Sequence, residues 1–137
     1  MKQKIGKSHE KNASLVCVVD DDESMREALE SLLKSVGFCV AIYASAKEFL
    51  NAIEHDVPDC LILDVLMPEM NGLELQKKLI GENIPVPIVF ISAHGEAGEK
   101  VQALAAGAID FLCKPFSEDS LLGAVGAAIK SKANQGI

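Results

Sequence analysis

The sequence predicts an α/β protein built on a doubly wound parallel sheet, and three observations predict it. Short continuous apolar runs recur along the chain, each closed by a polar residue, as expected of strands buried on both faces. Between them lie segments whose apolar residues recur at helical spacing, the pattern of helices that cover a sheet. Aromatics make up only 4% of the chain and Trp is absent, so Val, Ile, Leu and Ala must fill the interior. That filling suits a helix-covered sheet better than an aromatic-rich sandwich.

The elements follow in order. Leu15-Val-Cys-Val-Val19 is the first strand, and it ends in Asp20-Asp21-Asp22. Ser24-Met-Arg-Glu27 reads as a capping box opening a helix. Its inner face is Met25, Ala28, Leu29, Leu32, Leu33 and Val36, and Gly37 supplies the stop. Residues 39–43 form a second strand. A second capping box, Ser45-Ala-Lys-Glu48, opens a helix with Phe49, Leu50 and Ile53 inward. Cys60-Leu-Ile-Leu63 is a buried strand ending in Asp64, and the turn through Asn71-Gly72 leads into a helix carrying Leu73, Leu75, Leu79 and Ile80. Pro87-Ile-Val-Phe-Ile91 is the fourth strand, ending in Ser92. An Ala- and Gly-containing helix over 96–106 stops at Gly107, and residues 109–112 form the fifth strand, followed by Lys114-Pro115. Ser117, with Glu118 and Asp119 behind it, caps the last helix. Five strands alternating with five helices imply right-handed crossovers and helices on both faces.

At 137 residues the chain fits one domain. Residues 1–14 read as a disordered leader, 15–130 as the domain, and 131–137 as a tail or the start of a linker. The formal charge of −7, from 13 basic and 20 acidic residues, argues against nucleic-acid contact by this chain itself. Cys17, Cys39, Cys60 and Cys113 show no metal-binding spacing and read as reduced structural thiols of a cytoplasmic protein. The first fourteen residues lack the apolar stretch of a signal peptide, and no run is long enough for a bilayer.

Chemistry concentrates on one rim. In open α/β sheets, sites form outside the carboxyl ends of the strands. There the first strand delivers Asp20, Asp21 and Asp22, the third Asp64, the fourth Ser92 and the fifth Lys114. Carboxylates this close repel unless a cation neutralises them. Hard oxygen ligands with room for water favour Mg²⁺ or Mn²⁺. Metal, ammonium and hydroxyl together can surround a transferring phosphoryl group. Taken alone, each residue has a plainer role: the acids as a solvated run before a helix, Ser92 and Lys114 as surface residues, Phe111 as core. Asp22 is expected to cap the turn or face solvent, outside the site.

The set Val19-Asp20-Asp21, Leu63-Asp64-Val-Leu-Met-Pro68, Asn71-Gly72, Ser92-Ala93 and Lys114-Pro115-Phe116 resembles the receiver domains of two-component response regulators, over residues 14–130. Ser92-Ala-His-Gly-Glu96 with Gly107-Ala-Ile-Asp-Phe111 looks most like receivers that precede LuxR-type or sigma-54-dependent output domains. The resemblance implies a flavodoxin-like sheet of order 2-1-3-4-5 and Asp64 as phosphoacceptor. It implies a metal held by Asp21, by Asp20 largely through water, by Asp64 and by the Leu66 backbone carbonyl. Ser92 and Lys114 would contact the phosphoryl oxygens, Ser92 and Phe111 would form the switch, and the Lys114–Pro115 peptide would be cis. His94 is an exposed loop residue or a lining of the water entrance, and Leu66 offers a side chain unable to position water. The phosphoryl donor would be a histidine kinase, a phosphotransfer protein or a small molecule such as acetyl phosphate. The readout would be the face of the fourth helix, fifth strand and fifth helix, through dimerisation or an output partner. Such a domain is a signalling module that assists its own phosphorylation and autodephosphorylation, not an enzyme acting on other substrates.

Rival readings are weaker. A haloacid-dehalogenase-like phosphatase places a second Asp two residues after its nucleophile, where Leu66 stands. A flavodoxin-like FMN binder needs a hydroxyl-rich loop where three Asp residues stand. An EF-hand needs Gly and Glu where Met25 and Ser31 stand. An unphosphorylated interaction module would lack the acids or the acceptor.

Overall fold

The structure is a computed structural model describing residues 13–54, 56–93 and 97–135. Most of the expected leader and His94 lie outside the described residues. The elements are β1 (Leu15–Val19), α1 (Glu23–Ser35), β2 (Cys39–Tyr43), α2 (Ala46–Ala52), β3 (Cys60–Asp64), α3 (Gly72–Gly81), β4 (Ile88–Ser92), α4 (Ala97–Ala105), β5 (Asp110–Cys113) and α5 (Glu118–Gln135). All strands are parallel, in the order β2-β1-β3-β4-β5. This is the doubly wound sheet the sequence pattern predicts, in the flavodoxin-like order the resemblance implies.

Alternation along each strand explains why the strand runs are apolar throughout. Val16 and Val18, Cys60 and Ile62, Val89 and Ile91 face one layer with Leu29 and Leu33 of α1 and Leu121 and Val125 of α5. Cys17 and Val19, Leu61 and Leu63, Ile88 and Phe90 face the other, with Phe49, Leu75, Leu79 and Ala103. The sheet therefore separates two cores, and a strand between them needs apolar side chains on both sides.

Three helices end in the same way. After α1, Gly37 has φ +103°, its N–H donates to the Lys34 carbonyl, and that of Phe38 donates to Leu33. Asn83 (φ 57°) and Gly107 (φ 105°) repeat the pattern after α3 and α4. These paired bonds satisfy carbonyls that the helix leaves open, in the Schellman geometry.

Several local expectations are corrected. The cap of α1 is Asp22, whose carboxylate accepts from Ser24 N, so Ser24 is not the start of a capping box. Asp22 and Ser24 are both good caps, and the turn leaving Asp20 selects the earlier one. Ser45 does accept from Glu48 N, but Glu48 Oε1 accepts from Ala44 N rather than closing the box. The complete box is Asn71 with Glu74, at α3. Ala28, Val36 and Ile80, expected inward, are exposed. Helix α5 continues to Gln135, so residues 131–135, read as a tail or the start of a linker, are helical. Lys132 fastens that extension: its Nζ donates to Val57 O (3.3 Å) and Pro58 O (3.0 Å) and lies 3.6 Å from Asp59 Oδ1. Asp59 Oδ2 in turn accepts from Leu15 N at 2.8 Å.

Gly72 marks the closest backbone approach beneath the rim. Its N–H donates to Val65 O at 2.9 Å, and a Cβ there would strike the Asp64 carbonyl and lie 3.1 Å from the Phe90 ring. Gly72→Ala is expected to cost about 1–3 kcal/mol in urea unfolding, the range for forced overpacking. A cost below about 0.5 kcal/mol would show that the Asp64 backbone yields easily.

Candidate functional site

The strand order decides which polar ends meet. Asp20 directly follows β1 and Asp64 closes β3; these strands are neighbours, with Val19 opposite Leu63. Ser92 closes β4 and is registered with Cys113, the last residue of β5, so Lys114, which directly follows, arrives at the same rim. Lys114 N donates to Ser92 O at 2.8 Å, and the Lys114–Pro115 peptide is cis, as expected. The lysine side chain reaches back over the rim: Nζ lies 3.1 Å from Asp20 Oδ2 and 3.7 Å from Asp64 Oδ1.

Asp20, Asp64 and Ser92 are buried, whereas Asp21 is exposed at the mouth. One carboxylate oxygen from each of Asp20, Asp21 and Asp64 lies within 4.8 Å of the others. Burial first, then the Asp20 charge, push the Asp64 carboxyl from 3.8 up to about 7; a hydrogen bond to Asp20 and the Asp21 charge add to this, while Lys114 pulls it back. One ammonium is thus insufficient for three acids. The donor set, oxygen-only and open to solvent at Asp21, fits a hard divalent cation such as Mg²⁺.

Five of the seven predicted residues meet at this rim. Asp20, Asp21, Asp64, Ser92 and Lys114 assemble there, and Leu66 lies in the β3–α3 loop two residues past Asp64, its side chain 47% exposed. Phe111 is set deeper, packed in the α2–α4 core with its ring 6.0 Å from that of Phe90. Sequence reasoning missed Arg26, whose Nη1 donates to Asp20 O at 2.8 Å. Its signal was only a basic residue in the first turns of a helix, where cations are not favoured. Gln76, buried on α3, was also missed; its Nε2 donates to Ala103 O of α4 at 3.1 Å.

A parallel α/β sheet with acids, hydroxyl and ammonium gathered at its carboxyl rim defines a class of phosphoryl-handling switch domains. Residues 16–126 match the family model described as the response regulator receiver domain, and the chain belongs to that family of two-component signalling domains. It is 49% identical over 125 residues to the response regulator protein TodT of Pseudomonas putida, covering 90% of this chain and 54% of TodT. It is 45% identical over 123 residues to nodulation protein W of Bradyrhizobium diazoefficiens, covering 90% and 54%. Among solved structures, response regulator StyR superposes with TM-score 0.82 at 44% identity, over 90% of this chain and 63% of that one. FixJ-N gives 0.81 at 34%, over 87% and 95%. The chain spans about half the length of the curated relatives it matches. The phosphatase reading is set aside by this membership. Among the described residues no helix is long and apolar enough to cross a membrane.

Proposed function

We propose that this domain is switched by phosphorylation of Asp64. The observation that supports it most is the convergence of Asp20, Asp21 and Asp64 oxygens within 4.8 Å beneath the Lys114 ammonium. An Asp64 carboxylate oxygen attacks phosphorus, the bond from phosphorus to the donor's imidazole nitrogen or acyl oxygen breaks, and the donor departs with its electron pair. The product is a carboxyl–phosphate anhydride on Asp64. Asp20, Asp21, Asp64 and the Leu66 carbonyl would hold Mg²⁺ or Mn²⁺, which supplies positive charge against the transferring oxygens. Lys114 supplies the second positive centre and holds Asp20 in place. At pH near 7 Asp64 is only partly ionised without metal, so cations beside it favour the nucleophilic form.

The donor is a histidine kinase or phosphotransfer protein, with acetyl phosphate as a small substitute. Ser92 then contacts a phosphoryl oxygen, and the β4–β5 pairing links it to Phe111, whose partner across the sheet is Phe90. The readout is the α4–β5–α5 face, by dimerisation or through an output partner in the cytoplasm. Several relatives are named transcriptional regulatory proteins, so an output of that kind fits a longer chain.

Incubation with acetyl phosphate and Mg²⁺ is expected to add about 80 Da to the intact protein, one phosphoryl group. Hydroxylamine should remove it, because an acyl phosphate is reactive where a phosphoserine ester is not. No adduct, or a hydroxylamine-stable one, would overturn the reading.

A further inference from the structure

All four polar positions of Asp20 are engaged by different parts of the chain. Its N–H donates to Tyr43 O of β2 (3.2 Å), Oδ1 accepts from Asp22 N (2.9 Å) and Oδ2 meets Lys114 Nζ (3.1 Å). The fourth, its carbonyl oxygen, accepts from Arg26 Nη1 at 2.8 Å. That carbonyl belongs to the peptide plane joining Asp20 to Asp21. Its orientation therefore sets where the Asp21 backbone stands, and Asp21 is the exposed member of the acidic trio. Arg26 is anchored as well, since its own N–H donates to Asp22 O in the first turn of α1. A half-buried guanidinium giving a 2.8 Å charge-assisted bond is a firm support.

We propose that Arg26 is a positioning residue for the acidic pocket: it holds the Asp20–Asp21 peptide so that Asp21 is preset for the cation. The proposal rests on the phosphoacceptor reading above. Arg26 acts through the peptide and touches neither cation nor phosphoryl group. Groups that orient metal ligands commonly change affinity 10–100-fold when removed.

The test measures Mg²⁺ affinity by calorimetry for wild type, Arg26→Met, Arg26→Lys, Asp21→Ala and Asp22→Ala, with urea unfolding of each without metal. Arg26→Met is expected to weaken Mg²⁺ binding roughly 10-fold, Arg26→Lys less, because it keeps a donor and the charge. Asp21→Ala should weaken binding more than either, and Asp22→Ala least. The rate of labelling by acetyl phosphate at saturating Mg²⁺ should stay near wild type in Arg26→Met, with the Mg²⁺ requirement displaced upward. A structural role alone would lower the urea midpoint and leave the Mg²⁺ affinity of the folded protein unchanged, which overturns the proposal. If Arg26→Met does not fold, Arg26→Lys decides: affinity equal to wild type refutes positioning. A wild type that takes up no Mg²⁺ overturns the pocket reading itself, so the two failures are distinct.

Discussion

Asp64→Asn is expected to abolish the adduct with acetyl phosphate and, at the same time, to make the metal-free protein more stable at neutral and alkaline pH. The two effects share one cause. Asp64 is 5% exposed, and burial with the neighbouring Asp20 raises its carboxyl to about 7. Between its ordinary 3.8 and about 7 the folded protein holds a proton there that the unfolded chain has lost. The unfolded state then binds fewer protons, so wild-type stability falls as pH rises through that window. The displacement is worth at most about 4 kcal/mol, and less where Asp20 and Lys114 share the titration. Asn carries no charge, so its advantage should be largest near about pH 8 and vanish below about pH 4. Urea unfolding of both proteins across pH in chelator checks the sign. Equal stability at alkaline pH would mean that Asp64 is better solvated than its burial indicates. Added Mg²⁺ should reverse the ranking, because a ligand that binds only the folded wild type stabilises it by mass action.

Lys114→Met is expected to lower metal-free stability by on the order of 3 kcal/mol at neutral pH, the lower end of what breaking a buried ion pair costs. The lower end applies because the Lys114 side chain remains 18% exposed, whereas that of Asp20 is fully enclosed. Asp20 then keeps its bond from Asp22 N and its hydrogen bond with Asp64 but no cation, and Asp64 loses the one influence that lowers its pKa. The loss should shrink with acidification, as the acids take up protons, and Mg²⁺ should recover part of it. Thermal unfolding with and without Mg²⁺ provides the measurement. A variant as stable as wild type without metal would show that water reaches Asp20 when the lysine is gone.

The strands and the rim were legible in the sequence for a physical reason. A strand covered on both faces must be apolar throughout, so β1, β3 and β4 stood out, and the first polar residue after each run marked the rim. Asp20, Asp64, Ser92 and Lys114 followed from that rule, and their convergence from the strand order. What was not legible depends on neighbours distant in sequence. Whether Val36 and Ile80 face inward is decided by how much of each helix the sheet covers, and periodicity alone gives them the same weight as Leu33 and Leu79. Cys113 is exposed because β5 lies at the sheet edge, a fact carried by topology. Asp22 outcompetes Ser24 as a cap because Asp20 Oδ1 already holds the Asp22 N–H. Arg26 shows in sequence only as a basic residue early in a helix, because its partner is a backbone carbonyl and any residue can offer one.

The fastening of Lys132 to the Asp59 loop has a mechanical consequence. Helix α5 is pinned to the starts of β1 and β3 at the end of the molecule opposite the acids. Helix α4, by contrast, is held near its last turns by Gln76, while its first turn adjoins the loop leaving Ser92. A pull at Ser92 would therefore act on a lever with its fulcrum at Ala103, while Lys132 ties the base of α5 to the Asp59 loop. Displacements at the acids would be carried to the start of α4 and damped before they reach the far end. Loosening the base with Lys132→Met should let the same pull spread into α5, visible as faster amide exchange there when a phosphoryl mimic binds.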